Sequence, residues 1–152
     1  MPQLAVITPV GPLAIAEEEG RIVSIDWGWP ADSRETPLLL LARDQLAEYF
    51  AGCRTRFDLP LDPLGTPFQR RVWQALTLIP FGQTRSYGEL AAELGTAPRA
   101  LGGACGRNPI PVMIPCHRVL AANRGLGGYS GLDGTATKRF LLHLEGALAA
   151  PA

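Results

Sequence analysis

The chain has 152 residues, 47% of them hydrophobic, with 14 basic and 14 acidic side chains and a formal net charge of zero. That length suits one compact domain or two small ones, and the composition excludes both wholesale disorder and a uniformly basic nucleic-acid coat. No run approaches the ~18 consecutive apolar residues of a membrane span, and Met1-Pro2-Gln3 opens no basic-then-apolar leader; the expectation is a cytoplasmic protein with no membrane association.

The zero balance conceals an asymmetry. Residues 1–62 carry five bases against ten acids, and residues 63–152 carry nine bases against four acids. A polyanionic partner is therefore expected to meet the second half. All the bases are arginine except Lys138. Cys53, Cys105 and Cys116 are an odd, sparse set that resembles no disulfide framework and fits a reducing compartment. With no CxxC pair and two histidines, no metal site is expected.

Taken in chain order, residues 3–8 and 12–27 read as short strands, with Glu17-Glu18-Glu19-Gly20 as a hairpin turn. Thr36 and Pro37 form an N-cap and first helical position. The helix they open is predicted to reach about Ala51 and stop at Gly52, covering a sheet face with Leu40, Leu41, Leu46, Tyr49 and Phe50. The stretch 57–65 is rich in turn formers and marks a boundary. The expected organisation is an N-terminal α/β domain over 1–62, a short antiparallel sheet plus a helix, and a mainly helical domain over 63–152. The fold class is α+β.

Helical signals dominate the second domain. Thr66-Pro67-Phe68-Gln69 combines an N-cap, a proline and a capping-box glutamine, opening a helix to about Ile79. Ser86-Tyr87-Gly88-Glu89 is a second capping box, for a helix ending at Gly95. Pro98 starts a third, to about Arg107. Two short helices about a glycine turn suggest a helix-turn-helix of winged-helix-like type. The small residues Ala97, Ala100, Gly102, Gly103 and Ala104 on the third helix suit either close packing inside the domain or close approach to a nucleic-acid groove. Residues 110–114 are apolar and read as buried, Val119-Leu120 is strand-like, and a last helix from Thr135 to Glu145 is predicted to bury Phe140, Leu141 and Leu144.

Cys116 is the sharpest chemical candidate. A cysteine attacks as its thiolate, which requires a neighbour that takes or offsets the proton. His117 is such a neighbour, in direct contact or through a water, and an imidazole in that role needs an orienting acceptor, for which Glu145 is available. Residue types alone leave an inert core thiol as the alternative. Cys105, Cys53 and His143 lack partners at useful spacing.

The run Ile114-Pro115-Cys116-His117-Arg118-Val119 resembles the signature of the O6-alkylguanine-DNA alkyltransferases, the methylated-DNA–protein-cysteine methyltransferases. The resemblance extends, in order, through Gly65-Thr66-Pro67-Phe68-Gln69, Ile79-Pro80-Phe81-Gly82-Gln83-Thr84, Ser86-Tyr87-Gly88-Glu89-Leu90-Ala91, Arg99-Ala100-Leu101-Gly102, Asn108-Pro109, Gly128-Tyr129-Ser130-Gly131 and Leu141-Leu142-His143-Leu144-Glu145-Gly146. It covers roughly residues 57–146, and the first domain is similar to the family only in outline.

The resemblance implies direct, stoichiometric and irreversible repair of O6-alkylguanine in double-stranded DNA, with O4-alkylthymine as a second candidate substrate. It implies a monomer that needs no cofactor and binds through the minor groove. Cys116 resembles the alkyl acceptor, His117 the residue that takes its proton through a water, and Glu145 the acid that orients that ring. Asn108 resembles the hinge that holds the thiol-bearing turn, and Tyr87 the hydroxyl donor to guanine N3. Arg99 is similar to the finger that fills the duplex where the base was extruded. Ala100, Gly102, Tyr87, Arg107 and Arg118 complete the implied DNA-binding set; Pro111, Val119, Tyr129 and Ser130 line the implied pocket. Leu132 stands where many relatives have a second glycine. Only Cys53, and no histidine, is present in the first domain for the zinc some relatives hold there. A non-catalytic lesion sensor is the competing reading, although such relatives carry tryptophan at the acceptor position.

Overall fold

The computed structural model describes residues 1–121 and 134–148. The chain divides into two compact units, Met1–Leu64 and Gly65–Ala152, and the fold class is α+β.

In the first unit, β1 (Gln3–Thr8), β2 (Gly11–Glu18) and β3 (Arg21–Trp27) form an antiparallel meander in that order. The β2–β3 turn is tighter than the sequence suggests. Glu17 and Glu18 still pair with Ile22 and Arg21, past a bulge at Ala16/Glu17. Only Glu19 and Gly20 turn the chain, both in left-handed conformation at φ 52° and 76°, as a two-residue hairpin requires. The central strand is deeply buried through Leu13, Ala14, Ile15 and Ala16.

Helix α1 (Pro37–Phe50) opens as expected: Thr36 Oγ1 accepts the Leu39 N–H at 3.1 Å. The same hydroxyl donates to the Glu17 carboxylate, tying the helix start to β2. Its covering face differs from the expected one. Leu39, Ala42, Gln45, Leu46 and Tyr49 are buried, whereas Leu41 is exposed and Leu40 and Phe50 are half-buried. The stretch after α1 is tied down by Gln45, which accepts from the Asp58 N–H at 2.9 Å and donates to the Asp58 carbonyl at 3.3 Å. Backbone bonds from Ile22 to Pro60 and from Asp62 to Ile22, both 2.8 Å, then lay residues 60–62 along β3.

In the second unit, α2 (Pro67–Thr77) and α3 (Tyr87–Leu94) each begin with a complete capping box, Thr66 with Gln69 and Ser86 with Glu89. Each box satisfies two otherwise orphan N–H groups. Gly95, left-handed at φ 69°, ends α3. The chain then enters α4 (Pro98–Gly106) with Pro98 in its first turn, completing the helix-turn-helix. Trp73 anchors α2 to α4, its indole N–H donating to the Ala104 carbonyl at 2.8 Å. Two-residue strands β4 (Arg85–Ser86) and β5 (Val119–Leu120) pair in parallel, joining the entry of α3 to the segment after Cys116.

Helix α5 (Thr135–Leu144) buries Thr137, Lys138, Leu141 and Leu142. Phe140, expected inside, is 38% exposed, and Leu144 is half-buried. No described helix is long and apolar enough to cross a membrane.

Candidate active site

A short segment of strained and clamped backbone holds Cys116. Between α4 and the 3-10 turn Cys116–Arg118, Val112 sits at φ 74°. A β-branched residue there costs roughly 1–2 kcal/mol, so the surroundings must enforce it. Asn108 does much of this. Its Nδ2 donates to the Ile114 carbonyl at 2.8 Å and its Oδ1 accepts the Ile110 N–H at 2.9 Å. Backbone bonds from Ile114 to Ile110 (2.9 Å) and from Cys116 to Ile114 (2.8 Å) close the loop. The side chain thus links the end of α4 to the turn that bears the thiol.

Cys116 is 5% exposed and His117 fully buried. Burial pushes the Cys116 thiol up; the Asn108 side chain and Lys138 oppose the rise. Burial also pushes His117 down, against the raising influence of Glu145. At neutral pH the free chain therefore holds a neutral thiol beside a neutral imidazole. Burial thus works against ionisation of the sulfur, and attack needs a base to take its proton.

Glu145, at the C-terminus of α5, is 4% exposed. Its Oε2 meets His117 Nε2 at 2.7 Å. Burial alone would raise this carboxyl, but hydrogen bonds from His117 and Arg118 outweigh it and hold the group at about 2. An ionised carboxylate only accepts, so Nε2 carries the hydrogen and Nδ1 is the bare nitrogen. That Nδ1 is buried and has no hydrogen-bond partner among the described residues.

Arg118 is corrected by the structure. Expected among the DNA contacts, it is 6% exposed. Its Nε and Nη2 fork onto Glu145 at 2.8 and 3.0 Å, and Nη1 donates to the Ile79 carbonyl at 2.6 Å. A guanidinium so engaged is not available to phosphate.

The sequence reading missed Lys138. It is buried, and its Nζ lies 3.5 Å from Tyr87 Oη and 5.5 Å from the Tyr87 ring centre. Burial lowers its pKa, while the Cys116 and Cys105 thiols pull it up. A signal was present: Lys138, Leu141, Leu142 and Glu145 fall at i, i+3, i+4 and i+7, so both charges lie on the helix's inward stripe. Tyr87 is half-buried, and its phenol is raised to about 12 by burial and then by the two cysteines. It is therefore a hydrogen-bond donor at neutral pH. Cys105, on α4, is pushed up to about 12, chiefly by burial.

The remaining expected residues divide into two groups. Arg99, Ala100 and Arg107 are exposed on or just after α4, and Gly102 is half-buried, a Cβ there lying 4.0 Å from the Tyr87 ring. Pro111 and Val119 are buried close to Cys116 in the chain. Tyr129 and Ser130 lie outside the described residues.

Chemically, the described residues bring a thiol, an oriented imidazole, a phenol donor and an amine into one buried cluster beside a helix-turn-helix. Two family models cover nearly the whole chain: the 6-O-methylguanine DNA methyltransferase ribonuclease-like domain over residues 6–63 and its DNA binding domain over 67–147. The constitutive methylated-DNA–protein-cysteine methyltransferase of Bacillus subtilis is 49% identical over 151 residues, with 91% of each chain covered. Among solved structures, Mycobacterium tuberculosis OGT in complex with DNA superposes with a TM-score of 0.88 at 41% identity, covering 97% of this chain and 94% of that one. The O6-methylguanine DNA methyltransferase of Methanococcus jannaschii gives 0.68 at 32% identity, covering 93% and 92%. The clustered residues lie within a match that spans both units, and the chain belongs to the 6-O-methylguanine DNA methyltransferase family.

Proposed function

We propose that this protein repairs O6-alkylguanine in double-stranded DNA by moving the alkyl group onto its own Cys116, once per molecule. The observation that carries the reading is the setting of Cys116: a buried thiol next in sequence to an imidazole that a forked carboxylate orients, on a turn clamped by Asn108 to a helix-turn-helix.

The Cys116 proton passes through one bridging water to His117 Nδ1, and the imidazolium is stabilised by Glu145. Sγ attacks the alkyl carbon as the C–O6 bond breaks, and the electron pair leaves with guanine. Tyr87 donates its proton to guanine N3 as that charge develops, an interaction strongest in the transition state. Lys138 Nζ, beside Tyr87 Oη, supports the phenolate until a proton returns from the imidazolium. In net terms the thiol loses one proton and guanine gains one, His117 and Tyr87 return to their starting states, and the product is a thioether with no hydrolytic exit.

A base stacked in a duplex hides O6, so the nucleotide must be extruded, which costs a few kcal/mol. In this reading Arg99, exposed near the start of α4, enters the stack and offsets part of that cost. The exposed small residues of α4 suit a minor groove ~6 Å wide. Pro111, Val119, Tyr129 and Ser130 line the pocket in this reading, Arg107 meets phosphate, and the protein acts as a cytoplasmic monomer.

A duplex with a radiolabelled O6-methylguanine is the test. The label is expected on the wild-type chain and not on Cys116→Ala, whose duplex affinity stays within a few-fold of wild type. Lesion binding without label transfer would instead identify a sensor.

A further inference from the structure

Among the described residues, Arg118 makes three hydrogen bonds from inside the protein, all to buried acceptors of Glu145 and Ile79. Two run to Glu145, and the third, to the Ile79 carbonyl, fixes the guanidinium plane, with Cζ 5.8 Å from the Phe81 ring centre. Such investment in a buried cation calls for a role, because a buried ion pair by itself is weak evidence of stabilisation.

The role follows from the donor inventory. A carboxyl group carrying its proton can donate to an imidazole; an ionised one can only accept. If Glu145 donated, His117 Nε2 would become the acceptor and Nδ1 would hold the hydrogen. The ring would then have no free nitrogen for the Cys116 proton. Arginine excludes that arrangement: it is always charged and has no acceptor, and its planar fork occupies both carboxylate oxygens. Among the described residues, the charged and titratable groups facing His117 are Glu145 and Lys138 from α5, with Arg118 and Cys116 from its own turn. Arg118 is a permanent cation bonded to both Glu145 oxygens.

We propose that Arg118 is a positioning residue: by gripping both oxygens of Glu145 it fixes His117 in the Nε2–H form, leaving Nδ1 as the base for the Cys116 proton. The inference rests on the proton relay proposed above.

The chain has two histidines, His117 and His143, and His143 is exposed, so ring nitrogen spectra are assignable with a His143→Gln control. In ¹⁵N-histidine-labelled protein, wild type is expected to show His117 as Nε2–H from neutral pH down through the ordinary imidazole range. Arg118→Gln is expected to show a mixture with Nδ1–H. Its methyl transfer should be slower by about tenfold or more, the scale seen when partners that orient a ligating imidazole are removed. Removing a nearby cation makes the ring more basic, so the acid limb of transfer should move up by about one pH unit. Arg118→Lys keeps the charge without the fork; it should keep the wild-type acid limb and recover only part of the rate.

A folded Arg118→Gln with the wild-type ring spectrum and acid limb would overturn the proposal. If Arg118→Gln does not fold, Arg118→Lys decides: transfer at the full wild-type rate overturns it, and partial rescue supports it. Failure of wild type to accept any methyl group would instead reject the repair reading, while the ring spectra would still report what Arg118 does to His117.

Discussion

The two units treat their charges in opposite ways. In the first, ion pairs lie in water: Arg43 with Asp44 at 3.7 Å and Arg56 with Asp58 at 3.8 Å, all four side chains at least 43% exposed. Its buried polar side chain, Gln45, is occupied by one backbone segment. In the second, Asn108, His117, Arg118, Thr137, Lys138 and Glu145 are all buried, and five of these six belong to the cluster at Cys116. Burying a charge is costly unless it is paired and hydrogen-bonded. The contrast locates the chemistry in the second unit, where polar burial goes beyond what holding a fold requires, and leaves the first unit held mainly by its apolar sheet and helix.

Variants can break this contrast. The largest effect on stability is expected from Asn108→Ala, which strands the Ile110 N–H inside the protein and removes one of the two hydrogen bonds at the Ile114 carbonyl, leaving that from the Cys116 N–H. At about 1–3 kcal/mol for the unsatisfied N–H and about 1 kcal/mol for the bond lost at the carbonyl, unfolding in urea should show a loss of about 2–4 kcal/mol.

Glu145→Gln sharpens the electrostatic side. The folded carboxyl sits at about 2, against an ordinary 4.5. Its stabilisation is therefore complete above 4.5 and is lost as pH falls through that window. His117, depressed by burial, acts in the same direction below its ordinary 6.5. Wild type should exceed Glu145→Gln by an amount on the order of 3 kcal/mol at neutral pH, and the gap should close as pH approaches about 2. A pH-independent gap would contradict the assignment.

Lys138→Met separates function from stability. Removing the buried amine should raise the Cys116 thiol further and slow transfer by about tenfold, roughly 1.4 kcal/mol. The melting temperature should hold or rise, because an apolar side chain replaces a desolvated cation. The pH dependence of Cys116 alkylation by iodoacetamide, shifted to higher pH in the variant, checks the first part, and calorimetry checks the second. The smallest change is expected in the first unit. Arg54→Ala removes contacts to Glu48 (3.4 Å) and Asp58 (4.0 Å) that lie at the surface, and should cost at most about 1 kcal/mol with no change in transfer.

Much of the fold was legible because its punctuation is local. Thr36-Pro37, Thr66-Pro67 with Gln69, and Ser86 with Glu89 act within one turn of themselves, and Gly52, Gly95 and Gly146 stop helices wherever the chain packs. The phase of α1 was harder to read. Leu38 to Leu41 are four consecutive leucines, so only Ala42, Leu46 and Tyr49 set which of them faces inward. The β4–β5 pairing spans more than thirty residues between two-residue strands and leaves almost no local pattern. At the site, the motif order pointed to Cys116, His117, Glu145, Asn108 and Tyr87, which the structure brings into one cluster. Arg118 and Lys138 were misread or missed because an arginine or lysine in a sequence suggests solvent or phosphate. Their burial depends on partners 27 and 51 residues away.

The most direct measurement is the intact mass of the folded protein after incubation with excess duplex containing O6-methylguanine, followed by peptide mapping. The expected result is a gain of one CH₂ per chain, on the peptide carrying Cys116, with no further gain at any excess of DNA. An unchanged mass, a methyl group on Cys105 or Cys53 instead, or continued demethylation beyond one lesion per chain would contradict the claim that this sulfur is the acceptor and is spent in a single turnover.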